Sequence, residues 1–61
     1  MTLKEREDFL RGYADAEEKL LDANFDLKKA LSLLVFAMGP YEKGWRMCLQ
    51  EESDRLEEYN G

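Results

Sequence analysis

The residues with the most obvious chemical potential are carboxylates at helical spacing: Glu5-x-x-Asp8, Glu51-x-x-Asp54 and the adjacent Glu57-Glu58. Carboxylates at i and i+3 share one face of a helix, and their hard oxygens suit Mg²⁺ held through its own waters. Such a centre would serve phosphoanhydride hydrolysis. A phosphate substrate also needs cations to receive it, and no basic pocket accompanies these pairs. In a chain with 14 acidic residues such pairs arise readily, and their expected role is a solvated charged face. No catalytic, cofactor-binding or metal-ligating residue is therefore assigned, and the chain is read as non-enzymatic.

All-helical nucleotide pyrophosphohydrolases use acidic pairs of this kind on facing helices, so a small Mg-dependent nucleotide hydrolase stands as one alternative. Cys48 is the chain's single cysteine and there is no histidine. A nucleophilic thiol needs a base beside it. Cys48 instead falls on an apolar helix face with Trp45 and Leu49, where a thiol acts as a small hydrophobe. A second alternative comes from the distribution of charge. Residues 1–26 carry net −4, residues 27–50 net +3 and residues 51–61 net −4. Rows of carboxylates on a rigid helix can imitate duplex phosphates and block a DNA- or RNA-binding protein. The candidate partner-binding acidic face is Asp15, Glu18, Asp22, Asp26, Glu51 and Asp54. The basic midsection, Lys28, Lys29, Lys43 and Arg46, could bind a phosphate or an acidic partner surface, but is expected to pair with acids of the predicted helix over residues 41–59 or of a second chain.

Composition sets the outer limits. A chain of 61 residues is one domain. Its 44% hydrophobic content supports a packed core, but a chain this short usually needs a staple. One cysteine forms no internal disulfide, and without histidine a zinc site is poorly supplied. Association is the staple that is left. The net charge of −5 argues against direct nucleic-acid binding and against an anionic membrane. The longest strongly apolar run, Ala30 to Met38, is far short of the about 20 residues that span a bilayer. The first residues lack the layout of a signal peptide, and the expected location is cytoplasmic.

The elements that would position these groups are helices. Ala16, Ala23, Ala30 and Ala37 recur every seventh residue, beside Tyr13, Leu20, Leu27 and Leu34. Such columns suit a helix packed on other helices, small residues allowing close approach. Thr2 and Glu5 form a T-x-x-E capping box that starts the first helix at Leu3. Gly12 is a mild interior cost of about 1 kcal/mol. Asp22-Ala23-Asn24-Phe25-Asp26 reads either as a turn, capped by Asn24 or Asp26, or as part of one helix. The heptad register runs through Asn24 without a skip, which favours a continuous helix over residues 3–38, about 54 Å long, with Asn24 in the seam. Gly39-Pro40 ends it, Gly39 as a left-handed cap. A return helix follows over residues 41–59, with Gly44 allowing a later start at Trp45, and its apolar face is Tyr41, Trp45, Cys48, Leu49, Leu56 and Tyr59.

The sequence thus predicts an all-α, single-domain helical hairpin over residues 1–61 that dimerises into a four-helix, coiled-coil-like bundle. Trp45 and Tyr41 are expected to anchor the hairpin on Phe36 and Leu33. The predicted self-association interface is Leu10, Tyr13, Ala16, Leu20, Ala23, Asn24, Leu27, Ala30, Leu31 and Leu34. The short acidic format resembles the small accessory proteins of bacteriophages and mobile elements, a likeness of format that transfers no residues. It implies a protein that binds and blocks another protein; together with the self-association expected from size and seam, the chain reads as one that homo-oligomerises and binds another protein as an inhibitor or adaptor.

Overall fold

Thr2 opens the first helix as the sequence predicts. In the computed structural model, which describes residues 2–60 (the side chains of Tyr59 and Asn60 excepted), its hydroxyl accepts from the Glu5 N–H at 3.2 Å. The Glu5 carboxylate accepts from the Thr2 N–H, also at 3.2 Å. That backbone bond holds the Glu5 carboxyl below its usual pKa. Helix α1 spans Leu3–Leu20.

The predicted continuous helix breaks at this point. Asp22 Oδ1 accepts from the Asn24 N–H at 3.0 Å, and the Phe25 N–H reaches the Asp22 carbonyl at 3.1 Å. Asp26 then caps a second helix, its Oδ1 accepting from the Lys29 N–H at 3.0 Å. Asp and Asn offer the backbone a local alternative to helical bonding, and three of them within five residues override the heptad register. Asn24 therefore lies exposed in a turn rather than in a seam. Helix α2 spans Leu27–Leu34.

A second correction concerns Gly39. Helix α2 ends five residues before it, and no described residue has a positive φ. Gly39 instead precedes α3, Pro40–Asn60. Its carbonyl accepts from the Lys43 N–H at 2.9 Å, and Pro40 takes the first helical position, where its missing N–H has no helical partner to lose.

Helix α3 is the central element, packed against both α1 and α2. The contacts fix its direction. Phe9 and Gly12 meet Gly44 and Tyr41 at one end, while Leu20 and Leu21 share a cleft with Glu52 and Arg55 at the other. Helices α1 and α3 therefore run in the same direction, and α2 carries the chain back between them. The antiparallel two-helix hairpin is replaced by an up-down-up arrangement of three helices. The described residues contain no strand, and no helix among them is long and apolar enough to cross a membrane.

The close approach of α1 and α3 rests on two glycines. A Cβ at Gly12 would lie 2.0 Å from the Tyr41 carbonyl oxygen, and one at Gly44 would lie 2.1 Å from the Phe9 carbonyl oxygen. Ala16 and Cys48, one turn further along each helix, are also buried. The pattern is reciprocal, Gly12-x-x-x-Ala16 facing Gly44-x-x-x-Cys48, with backbone set against backbone. The fully or nearly fully buried hydrophobic residues are Ala16, Cys48 and Leu49, ringed by partly buried side chains of all three helices.

Candidate interaction surface

The predicted self-association residues divide into three groups. Tyr13, Ala16 and Leu20 face α3 within the chain, and Ala16 is completely buried there. Leu27, Ala30, Leu31 and Leu34 form the inner face of α2, half-buried against the same core. Leu10, Ala23 and Asn24 are exposed, Leu10 on α1 and the other two in the turn. The alanine column is therefore not one surface. Its members sit at a helix crossing, in a turn, on α2 and in the loop before α3.

The predicted acidic face is also divided, and most of its members serve the chain itself. Asp15 accepts from the Tyr41 hydroxyl and Glu51 from the Tyr13 hydroxyl, both bridges between α1 and α3. Asp22 and Asp26 shape the turn and the α2 cap. Asp54 accepts from the Gln50 amide at 3.0 Å. Glu18 joins Asp15, Lys19, Asp22, Tyr41 and Trp45 around a shallow cleft of about 340 Å³. Among the described residues no three acidic or thiol side chains gather as metal ligands.

These bridges shift the phenols. Hydrogen bonding to the Glu51 carboxylate, with some desolvation, pushes the Tyr13 pKa up to about 12. Tyr41 is raised by its bond to Asp15, while the nearby Trp45 indole pulls the other way. Trp45 Nε1 is buried without completing a hydrogen bond. Cys48 lines a second open cleft, of about 450 Å³, with Tyr13, Glu17, Leu20, Glu51 and Arg55. Burial raises its thiol pKa first, and the acids around it add to the effect. Such a thiol is poorly nucleophilic, in keeping with a core role.

Two expectations about contacts are corrected. Trp45 does not pack on Phe36 and Leu33. Its ring meets Phe25, centroids 6.4 Å apart and tilted by 55°, because the turn brings Phe25 inward. Within the chain, the basic midsection forms no salt bridge with acids of α3 among the described residues. Among the described residues the salt bridge is Arg55–Glu52, within α3. On the return helix, Leu56 of the predicted apolar face is exposed, and the Tyr59 side chain lies outside the described residues.

Sequence reasoning missed two features. The glycine crossing was legible in the matched small-x-x-x-small spacing of residues 12–16 and 44–48. The second is an apolar patch at the end of α2 and in the loop after it. Leu33 is 71% exposed, Phe36 86% and Met38 82%, with Val35 beside them. Its signal is the charge-free stretch from Ala30 to Tyr41, which the sequence reading divides between the self-association seam and the support of Trp45 and Tyr41. Compared with known proteins, the chain matches no family model, no curated protein and no solved structure.

Proposed function

We propose that this chain is a non-catalytic helical protein that works by association, pairing with itself and binding another protein as an inhibitor or adaptor. One observation carries the reading. The largest fully buried side chain is Leu49, while Leu33, Phe36 and Met38 stand in solvent. A chain of this size rarely stabilises itself on so small a core, and exposed apolar groups clustered in one place mark interaction sites. The nucleic-acid mimic draws less support, because Asp15, Asp22, Asp26 and Glu51 are engaged in hydrogen bonds within the chain.

The test is the mass in solution, by light scattering over a dilution series at low and high salt. Two or more chains persisting at low micromolar concentration, with little salt dependence, is the expected result. A single-chain mass at every concentration overturns the self-association part of the reading.

A further inference from the structure

We propose that the second copy docks on the apolar patch formed by Leu33, Val35, Phe36 and Met38, in a two-fold interface, rather than along the alanine column. This rests on the self-association reading above and says where that association occurs.

Three observations support it. The inner face of α2 is already used, since Leu27, Leu31 and Leu34 pack against the chain's own core. Leu33 and Phe36 therefore belong to a separate outer surface that nothing among the described residues covers, at 71% and 86% exposure. The total area supplies the second argument. A compact monomer of 7.2 kDa exposes about 4,100 Å² by the usual scaling. This chain exposes 5041 Å², more than a compact monomer of its mass, and one partner in a standard interface buries about 800 Å².

The third argument concerns which partner fits. A two-fold interface sets a patch against a copy of itself, so any charge inside the patch meets its own like. From Ala30 to Tyr41 there is no charged residue. In the sequence, charges appear at the ends of that stretch, Lys28 and Lys29 before it and Glu42 and Lys43 after it, Lys43 lying near enough to α1 to act on Glu5. When two copies pair in opposite directions, the lysine border of one faces the Glu42 border of the other. An acidic or basic partner would find no matching charge at the patch centre, whereas a second copy satisfies both the apolar centre and the borders.

The experiment compares the dimer dissociation constants of the wild type, Phe36→Asp and Leu10→Asp by sedimentation equilibrium, with circular dichroism on each. Leu10 is exposed on α1 and belongs to the sequence-predicted seam. Phe36→Asp is expected to raise the dissociation constant by about 100-fold or more, as loss of a central aromatic anchor does, with helicity unchanged. Leu10→Asp is expected to leave it within about threefold, as surface changes outside an interface do. If Phe36→Asp loses helicity, the milder Phe36→Ser takes its place, with an expected increase of about tenfold or more. A dimer that survives the Phe36 variants but fails in Leu10→Asp overturns this interface and leaves self-association standing. A wild type that is monomeric throughout overturns both.

Discussion

The crossing of α1 and α3 and the segment formed by α2 with its following loop are built on opposite terms. At the crossing, Gly12 and Gly44 remove side chains so that backbones touch, and Ala16, Cys48 and Leu49 are sealed behind them. In the α2 segment large apolar side chains are abundant, yet no residue of α2 is fully buried. Eight residues are too few for a helix to persist alone in water, so α2 depends on its contacts with α3. The contrast teaches that in a short chain the placement of small residues decides what is buried more than the abundance of large ones. It also predicts uneven stability, with α1 and α3 opening together and α2 opening at lower cost.

The largest effect should come from filling the crossing. Gly44→Ala places a methyl 2.1 Å from the Phe9 carbonyl, where only backbone movement can make room. Despite an intrinsic helix gain of about 1 kcal/mol, the variant should lose about 1–3 kcal/mol, as overpacked sites do. Gly39→Ala is the control from the other region. Its methyl would meet only the flexible end of Glu42, and the change should stay within about 0.5 kcal/mol. Urea unfolding measures both. A Gly44→Ala chain more stable than the wild type would mean that the helices do not approach so closely.

Which parts of this architecture were legible follows the range of the forces involved. The capping box at Thr2 and the presence of a helix after Gly39-Pro40 are set by residues within one turn, and the sequence displays them directly, although it reads Gly39-Pro40 as the stop of the helix before rather than as the opening of α3. The burial of Cys48 and Leu49 follows from helical periodicity. The break at residues 21–26 was visible as chemistry but was outweighed by periodicity. A register continued through Asn24 is compatible with a straight helix and does not require one, whereas Asp22 and Asp26 supply bonds that form only when the chain turns. The direction of α3 was not legible, since it depends on which faces meet across the core. The acidic residues were recognised by type, but their bonds to Tyr13 and Tyr41 join positions 38 and 26 residues apart, beyond any local pattern.

The bridges between α1 and α3 give the crossing a dependence on alkaline pH. The folded Tyr13 pKa, at about 12, lies above the ordinary tyrosine value near 10. The unfolded chain therefore releases this proton first. The stabilisation from Tyr13 is whole below about pH 10 and declines as pH rises toward about 12. In an ultraviolet titration, the absorbance component removed by Tyr13→Phe should have its midpoint near 12. In Glu51→Gln, without the carboxylate, that midpoint should move down toward the ordinary value. No movement would show that Glu51 is not the cause, and that the α1–α3 contact at this level is apolar alone.

The smallest effect belongs to the turn, and it bears directly on the two readings of residues 22–26. Asp26 accepts the Lys29 N–H and opens α2. Removing a cap of this kind costs about 1 kcal/mol, which in a domain of this size lowers Tm by about 4–8 °C. Asp26→Ala should therefore melt earlier and lose helical signal from α2, while the α1–α3 crossing persists. In a continuous helix the same substitution would act in the opposite sense, because alanine is the best interior residue. Asn24→Leu separates the readings further. In the turn its side chain is exposed, and the change should be worth no more than about 0.5 kcal/mol. In a helical seam it would exchange a polar residue for an apolar one and raise Tm. If both variants gain helicity and stability, the straight helix is within reach of this sequence. Asp22 and Asp26 would then be the residues that hold the chain in its three-helix form.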